Sequence, residues 1–353
     1  MTGTVFAGVG KWQGSSPDVT THGFFRLRPG ETEWQQLTVG LPGNPEVRAI
    51  ALHPDDPHTV FAGTQAGVYR SDDGGDSWRS LGLPGKLQTV WSIALDPRDA
   101  QTIFAGVEGF AVWRTRDGGA SWRQLDVPTP GGVAEMPFPT RVVRIVIDPN
   151  APDTVYAGLE VHGAVRSRDG GDTWDDISAE LLALARANDH LKSGLVTGDP
   201  VEGMMDTHAL TISPAHPGAV WLANRMGLFR SDDEGGHWSE LGIGRFSPLT
   251  YARDVQVSPH DPERFYAAFS IAAVSDAGSL WRSDDGAETW RRFDADLPIN
   301  STLMIIAQSP ADPARVYCGA RAGQVFGTED GGATWRDLPL PGGVSGIYAM
   351  ACV

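Results

Sequence analysis

Short apolar runs, each bounded by proline, glycine or aspartate, recur along the whole chain. The stretch that begins at Val47 shows one full unit, with an apolar run at 47–52, a polar turn at 53–57 and further apolar runs at 59–63 and 67–71. Runs of this length with β-branched and aromatic side chains are typical of short strands joined by turns. Together with the run that follows Trp78, the unit predicts a sheet of four short antiparallel strands, called A to D in chain order.

A short polar phrase closed by tryptophan ends each unit. The phrase is most regular from Ser71 to Trp78, and seven copies end at Trp34, Trp78, Trp122, Trp174, Trp238, Trp290 and Trp335. A four-stranded sheet leaves both faces in water unless neighbouring sheets pack against it, so a repeat of this kind predicts a radial array. The chain is therefore predicted to be an all-β, seven-bladed β-propeller that forms one domain over residues 1–353.

The spacing of polar residues inside the phrase has a local physical explanation. Ser71 and Asp73 can accept hydrogen bonds from amides of the turn, and Gly75 readily takes a positive φ. Trp78 then contributes apolar area at a fixed place beneath the neighbouring hairpin. We therefore predict that the phrase stabilises the fold.

The phrase resembles the Asp-box, also called the bacterial neuraminidase repeat. Five further copies keep the serine or threonine, the aspartate and the tryptophan, and they cover 115–122, 167–174, 231–238, 283–290 and 328–335. The superfamily with this repeat includes sialidases, xyloglucan-degrading hydrolases, sortilin-type receptors and photosystem II assembly factors. Its Asp-boxes are hairpins remote from the active site, so the resemblance implies a structural role for Asp73, Asp117, Asp169, Asp233, Asp285 and Asp330.

The two ends of the chain are predicted to build one blade together. Residues 347–352 align with strand A of the unit at 47–52, while residues 4–8 align with strand B at 59–63. The C-terminus would thus donate strand A to the first blade, which closes the ring. The first phrase is degenerate but keeps Trp34, and we expect it to build a blade as well.

Composition supports this architecture and limits the partners. The 43 Gly and 25 Pro fit regular turns, and the formal net charge of -16 disfavours binding to nucleic acid or to an anionic membrane. The sequence shows no run of transmembrane length and no basic, apolar leader, so a cytoplasmic location is expected. Cys318 and Cys352 lie in apolar strand patterns, where buried thiols are expected.

Long connections are predicted on one face of the propeller. The D-to-A and B-to-C loops share that face, and the longest segments, at 9–22, 127–141, 178–207 and 269–278, belong to it. Binding groups concentrate on loops held by a rigid scaffold, which makes this face the candidate functional surface. The segment 178–207 is predicted to form a lid or a brace, with a short helix near 178–190 that Ser178 caps. Met204 and Met205 are expected either to form an apolar ligand wall or to pack on the rim.

Blade register places one residue of each blade near the mouth of the central channel. Counting back six residues from each A-to-B turn proline gives Arg48, Trp91, Val143, His208, Arg253 and Met304, with Tyr348 added by alignment. Residues that only packed would be uniformly aliphatic, whereas this set is chemically mixed. We therefore predict a ligand-binding surface of Arg48, Trp91, Arg253, Met304 and Tyr348, with His162 from a neighbouring loop. A water-filled channel lining is the alternative.

Acidic and imidazole groups near the same mouth are candidates for chemistry. Glu108 and Glu160 follow strand B on adjacent blades, and Asp206 and His208 close the largest insertion. Paired carboxylates can divide acid and base roles when their environments separate their pKa values, so these four residues are the candidate catalytic set. Ordinary solvated loop charges are the alternative.

Three histidines are candidate ligands for a divalent metal. His22, His162 and His208 offer imidazole nitrogens of the type that such metals use. No short helical or Cys-x-x-Cys spacing supports this site. The cofactor therefore stays unknown, with a divalent metal as one option.

These features predict a ligand-binding Asp-box propeller with its site at the channel mouth and an open catalytic status. The expected partner is a small molecule, a glycan or a protein. The alternative is a glycoside hydrolase-like enzyme, or another hydrolase or lyase, that uses the acidic and histidine side chains at the same mouth. The chain lacks the Phe/Tyr-Arg-Ile-Pro segment of sialidases, and it has one propeller where xyloglucan-type hydrolases use two. In size and in its one propeller it resembles the photosystem assembly factors.

Overall fold

Seven four-stranded sheets arranged around a channel make up the fold. The computed structural model describes residues 3–12, 18–86, 88–130, 140–194, 198–294 and 297–353. Neighbouring strands within each sheet pair antiparallel, and the A strands of successive sheets contact one another around the channel and return to the first sheet. The predicted seven-bladed β-propeller is therefore confirmed.

Each blade holds strands A to D from the channel outward. The A strands of blades one to seven are β28 (Ile347–Cys352), β4 (Val47–Leu52), β8 (Val90–Asp96), β12 (Val142–Ile147), β16 (Thr207–Ile212), β20 (Tyr251–Val257) and β24 (Leu303–Gln308). The B strands are β1 (Val5–Val9), β5 (Val60–Thr64), β9 (Asp99–Val107), β13 (Val155–Leu159), β17 (Val220–Asn224), β21 (Phe265–Ser270) and β25 (Val316–Ala320).

The outer two strands of the blades are shorter. The C strands are β2 (Gly23–Leu27), β6 (Gly67–Ser71), β10 (Val112–Thr115), β14 (Gly163–Ser167), β18 (Gly227–Ser231), β22 (Gly278–Ser283) and β26 (Val325–Thr328). The D strands are β3 (Gln35–Gln36), β7 (Arg79–Ser80), β11 (Arg123–Leu125), β15 (Asp175–Asp176), β19 (Ser239–Glu240), β23 (Arg291–Arg292) and β27 (Arg336–Asp337).

Burial is highest in the B strands and lowest at the rim. Every residue of β5 and β13 is buried, whereas both residues of β7 and of β15 are exposed. Apolar side chains pack between blades, as where Phe6 and Leu37 of the first blade contact Val60 and Trp78 of the second. This packing buries the two faces of each sheet, which a single blade could not do alone.

The C-terminal strand closes the ring, as the sequence predicts. β28 pairs antiparallel with β1, from Val5 opposite Cys352 to Val9 opposite Ile347. The Val353 amide donates a hydrogen bond to the Thr4 carbonyl at 2.9 Å. The first blade is therefore built from both ends of the chain.

The tryptophan-closed phrases form stapled turns. In the copy that ends at Trp78, the Ser71 hydroxyl accepts a hydrogen bond from the Gly75 amide at 2.7 Å, and Asp73 accepts one from the Ser77 amide at 2.9 Å. The same two bonds recur in the five other regular copies, around Asp117, Asp169, Asp233, Asp285 and Asp330. Gly75 has a φ of 92°, so the predicted turn geometry is confirmed.

The tryptophans connect each turn to the preceding blade. The indole N–H of Trp122 donates to the Leu81 carbonyl at 3.0 Å, and that of Trp34 donates to the Leu338 carbonyl at 2.9 Å. The Trp78 ring lies 5.1 Å from the ring of Phe24 in the first blade. The phrase therefore contributes both a local turn and a contact between blades.

The insertion after the fourth blade packs against two blades. It contains α1 (Ala179–Ala187) and short 3₁₀ turns at Asp189–Leu191 and Glu202–Met205, and a third 3₁₀ turn lies elsewhere at Ile243–Arg245. Leu181 and Ala185 of α1 are buried together with Tyr156 of the fourth blade and Leu222 of the fifth. The helix therefore fills space between these two blades, and none of its residues lines the central cavities described below.

One prediction about this insertion is wrong. Ser178 does not cap the helix through its side chain, because its hydroxyl bonds instead to the amide of Ala164 at 2.9 Å and to the Ala164 carbonyl at 3.0 Å. For Met204 and Met205 the packing alternative holds and the ligand wall does not, because both are buried in the apolar cluster beneath α1. Residues 195–197 of this insertion, and parts of the predicted loops 9–22 and 127–141, lie outside the described residues.

The cysteines agree with the expectation of buried thiols. Cys318 and Cys352 are buried free thiols, and burial raises the pKa of Cys352 to about 12. In the part of the chain that the structure describes, no helix has both the length and the apolar character needed to cross a bilayer.

Candidate functional site

All seven register positions lie on the wall of one cavity, here called the channel cavity. It has a volume of about 210 Å³, and its wall comes from the A strands of all seven blades. The positions are Arg48, Trp91, Val143, His208, Arg253, Met304 and Tyr348. Blade register alone thus located these side chains in space.

A second cavity, the mouth cavity, lies on the face of the B-to-C and D-to-A loops. It has a volume of about 340 Å³ and shares four wall residues with the channel cavity: His208, Arg253, Met304 and Tyr348. Loops and strand ends supply the other polar and aromatic groups, which include Trp12, Arg141, Glu160, Asp206, Arg225, Tyr251 and Arg321. The face with the longest connections therefore carries a cavity large enough for a small ligand.

Arg48 packs against two aromatic rings in the wall of the channel cavity. Its guanidinium carbon lies 4.3 Å from the ring centre of Trp91 and 4.7 Å from that of Tyr348. Its Nη2 atom donates to the Lys11 carbonyl at 2.7 Å and forms an ion pair with Glu46 at 2.5 Å. Arg48 is therefore compensated in charge and held against two aromatic rings.

Glu160 is a largely buried carboxylate in the mouth cavity. The Nη1 atom of Arg141 lies 2.8 Å and 3.1 Å from its two carboxylate oxygens. Burial raises the pKa of Glu160, the Arg141 guanidinium opposes this shift, and the Asp206 carboxylate adds to it. The surroundings therefore favour the protonated form of Glu160 more than water does.

Asp206 has the opposite behaviour. Its Oδ2 atom lies 3.4 Å from Nε2 of His208 and 3.4 Å from Nε of Arg225. Burial alone would raise the pKa of Asp206, but His208, Arg225 and Arg253 outweigh burial and lower this pKa. The mouth cavity therefore holds two carboxylates whose pKa values are shifted in opposite directions.

His208 is oriented by two hydrogen bonds. Its Nδ1 atom lies 2.7 Å from the Ala252 carbonyl, which can only accept, so Nδ1 carries a hydrogen. Its Nε2 atom lies 3.0 Å from the hydroxyl of Tyr251 and faces Asp206. Burial raises the pKa of Tyr251, so this hydroxyl keeps its proton. The imidazole is thus fixed between a backbone carbonyl, a phenol and a carboxylate.

Arg253 and Arg321 line the mouth cavity without ion-pair partners. Neither guanidinium forms a hydrogen bond or an ion pair within the described residues. Arg321 is 8% exposed, and its guanidinium carbon lies 4.2 Å from the ring centre of Trp12. Two positive charges, the buried Arg321 and the partly exposed Arg253, therefore face one space.

A buried ion pair crosses the channel below these groups. Arg144 of β12 donates from Nη2 to Asp254 of β20 at 2.8 Å, although the fifth blade stands between these strands. Asp254 also accepts hydrogen bonds from the Ile306 amide at 2.9 Å and from Nε2 of Gln256 at 2.8 Å. Because Arg144 is paired with Asp254, its guanidinium has a structural role in the channel wall.

Three predicted site residues do not reach either cavity. Glu108 is half-buried, and its backbone pairs with that of Arg141, but its side chain lines neither space. His162 packs edge-on against Phe110 at 4.1 Å between ring centres, and burial lowers its pKa to about 4. His22 is half-buried before β2 and also lies outside both cavities. The structure therefore separates Glu108 from Glu160.

The three candidate metal ligands are not brought together. Among the described residues, which include His22, His162 and His208, no group of three His, Cys, Asp or Glu side chains is arranged to hold a metal ion. His162 is buried against Phe110, whereas His208 lies in the channel wall.

Sequence reasoning missed Trp12, Arg141 and Tyr251 in the mouth cavity. A signal for two of them exists, because each stands two residues before a register position of its own blade. Arg141 and Tyr251 stand two residues before Val143 and Arg253, as Asp206 stands two before His208. Trp12 follows β1 in a loop, where no periodic pattern applies.

Comparisons with known proteins support the propeller fold and find sequence relatives for part of the chain. A family model described as sortilin-Vps10 (sortilin, neurotensin receptor 3) matches residues 66–197. Xyloglucanase Xgh74A from Acetivibrio thermocellus is 25% identical over 224 residues, which cover 55% of this chain and 25% of that protein. A xyloglucanase from a Paenibacillus species is 28% identical over 158 residues, which cover 42% of this chain and 14% of the relative. The chain thus matches a quarter or less of each relative's length.

Solved propellers of two kinds resemble most of the chain. The GH74 xyloglucanase from Xanthomonas campestris has a TM-score of 0.62 at 19% identity, covering 86% of this chain and 46% of that one. YCF48 from Cyanidioschyzon merolae has a TM-score of 0.57 at 14% identity, covering 88% of this chain and 89% of that one. YCF48 bound to a D1 peptide has a TM-score of 0.54 at 17% identity, covering 85% and 82%. At these identities the likeness shows the propeller fold alone.

Proposed function

We propose that the chain is a ligand-binding propeller of the Asp-box type and that its site is the mouth cavity. The observation that carries this proposal is the arrival of chemically mixed side chains from all seven blades at one channel, with a wider polar and aromatic cavity at its loop-rich end. Ligand sites are concave spaces with a few placed polar groups among apolar walls. The stapled turns, with six regular copies, support the Asp-box assignment.

A small molecule or a glycan is the proposed ligand. The wall of the mouth cavity combines the aromatic rings of Trp12, Tyr251 and Tyr348 with carboxylates and arginines that can bond to hydroxyl groups. The resemblance to xyloglucanases agrees with a glycan, and a neighbour bound to a D1 peptide makes a peptide the second option. The volume of about 340 Å³ fits a ligand of one or two sugar rings better than a folded partner.

Thermal shift and calorimetric titration with neutral glycans test the site. The probes are xyloglucan and cello-oligosaccharides, followed by a broader small-molecule panel. We expect at least one probe to raise the melting temperature, and expect Arg253→Ala and His208→Ala each to weaken its binding about tenfold or more. His58→Ala, which removes an exposed side chain far from the cavities, is the matched control. Equal binding by the wild type and both cavity variants would contradict the proposed site.

A hydrolase is the second candidate, and one observation favours it. Glu160 has a raised pKa and Asp206 a lowered pKa in the same cavity, which is the division that a general acid and a general base require. If the wild type cleaves a bound glycan, Glu160→Gln should abolish product formation while binding of the glycan persists. Glu108→Gln should retain turnover, since that carboxyl lines neither cavity. If the wild type binds a glycan but forms no product, the hydrolase candidate is contradicted and only the binding function is retained.

A further inference from the structure

Among the described residues, the charges that line the mouth cavity do not balance. Four of these residues are arginines, Arg141, Arg225, Arg253 and Arg321, and two are carboxylates, Glu160 and Asp206. Arg141 is paired with Glu160, and Arg225 is paired with Asp206. Arg253 and Arg321 are therefore the surplus, in a protein whose formal net charge is -16. The local excess of positive charge runs against the charge of the whole chain.

This surplus is costly because both guanidiniums lie inside the cavity and lose part of their hydration there, with Arg321 buried and Arg253 partly exposed. Arginine stays protonated even when enclosed, so it cannot relieve the cost by losing its proton. Burial lowers the pKa of Arg321, and the neighbouring Arg253 lowers it further, although Tyr348 and Tyr251 act in the other direction. A charge that loses part of its hydration without gaining a partner costs free energy unless something supplies the opposite charge.

The two guanidiniums also have a defined setting. Arg321 lies over the Trp12 ring, and its backbone is fixed by the bond from its amide to the Thr302 carbonyl at 2.9 Å. Arg253 stands on β20, between Tyr251 and the buried Asp254. For Arg253, burial works to lower the pKa, but Tyr251, Tyr348, Glu160 and Asp206 together raise it. These carboxylates already bind other arginines, so Arg253 keeps its donors available.

We propose that the mouth cavity binds an anionic small molecule whose carboxylate or phosphate oxygens sit between Arg253 and Arg321. A planar guanidinium offers paired N–H donors that match such oxyanions in geometry and charge. The remainder of the ligand lies against the rings of Trp12 and Tyr348, which line the same cavity. This inference rests on the proposed function and adds the charge class of its ligand.

Titration with matched probes tests the charge class. Sodium glucuronate carries a sugar ring and a carboxylate, glucose carries the ring alone, and sodium phosphate carries the oxyanion alone, with sodium chloride at equal ionic strength as the blank. We expect glucuronate or phosphate to bind at least about tenfold more tightly than glucose. Arg253→Gln and Arg321→Gln should each weaken the binding of that anion about tenfold. Arg116→Gln, exposed in a turn remote from both cavities, should leave it unchanged.

The response to the two anions identifies the source of the acidic group. Tighter binding of glucuronate than of phosphate supports an organic acid, and the reverse supports a phosphate group. If both anions act like chloride, or if their effect survives in both glutamine variants, the inference is overturned. Neutral glycans that still bind in a His208-dependent manner would then leave the proposed function standing, so the two failures can be told apart.

A measurement without ligand gives an independent test. In a buffer that contains only chloride, Arg321→Met should leave the melting temperature unchanged or raise it, because it removes an uncompensated charge. Arg225→Met should lower the melting temperature, because it leaves Asp206 without that partner. An equal loss of stability in both variants would show that Arg321 serves the fold, and it would contradict a role reserved for a ligand.

Discussion

Asp117 and Glu160 carry the same functional group, yet their surroundings shift their pKa values in opposite directions. Asp117 is exposed in a turn and accepts hydrogen bonds from the hydroxyl and the amide of Ser121 and from the hydroxyl of Thr115, which lower its pKa to about 2. Glu160 is enclosed, and burial raises its pKa. The number of hydrogen-bond donors and the access of water therefore separate a structural carboxylate from a candidate functional one.

Acid should weaken the stapled turns. Five turn aspartates, at Asp73, Asp117, Asp169, Asp233 and Asp330, have pKa values of about 2 in the folded protein against a usual 3.8. Because the folded-state pKa is the lower one, their contribution to stability is present above about pH 4 and is lost as the pH falls towards 2. We expect the melting temperature to drop across this window in a calorimetric pH series.

Single variants give the control for this series. Asp117→Asn should lower the melting temperature at neutral pH and should flatten its dependence between about pH 4 and pH 2. Asp55→Asn, in an exposed turn without the staple, should keep the wild-type dependence. Identical pH profiles for Asp117→Asn and the wild type would show that the staple carries no such stability.

At the scale of elements, the A strands present the site and α1 supports it. Each A strand places one register residue on the channel wall, and four of these also reach the mouth cavity. The helix instead buries its apolar face between the fourth and fifth blades. A rigid scaffold therefore holds the candidate site, while α1 packs between two blades beside it.

Truncating the buried face of α1 should destabilise the protein. Leu181 is fully buried in the cluster beneath the helix, and Leu181→Ala should lower the free energy of unfolding by about 2–5 kcal/mol through lost burial and a residual cavity. Leu184→Ala makes the same change at a partly buried position of the same helix and should cost clearly less. Urea denaturation measures both, and equal losses would contradict the assignment of the helix as a brace.

The elements show where sequence reasoning succeeded and where it stopped. The strand pattern and the turn prolines located Arg253 and His208 on the channel wall, because each blade repeats the same register. The same pattern did not reveal that Ser178 bonds to Ala164 or that Met204 is buried, since both contacts depend on how the insertion folds back on β14 and β17. His162 was misplaced because its loop turns it against Phe110.

At the scale of the whole molecule, the C-terminal strand closes the ring of blades. β28 supplies the channel-side strand of the first blade and contacts both β4 and β24 of the neighbouring blades. Ile347 and Cys352 of this strand are completely buried. Removing the strand would expose the first blade and open the ring.

Deleting residues 344–353 should therefore unfold the protein cooperatively. The loss includes a full ladder with β1 and the packing of two blade interfaces, and it should approach the stability of an ordinary domain, about 5–15 kcal/mol. A circular permutant that joins the two ends and opens the turn at Asp55 is the control, and it should remain folded because it keeps every strand. A truncated chain with an unchanged melting temperature would refute this closure.

The sequence by itself determined the number of blades, the register of their strands and the closure by both termini. Each unit repeats the same turns and the same alternation of apolar and polar residues, so the pattern of one unit predicts that of the next. Only the tertiary structure decided which charges meet: Arg144 with Asp254 across the channel, Glu160 with Arg141, and Arg253 and Arg321 with no ion-pair partner among the described residues. Those contacts join side chains on different blades or loops, and their charge balance depends on distances and burial that no local repeat encodes.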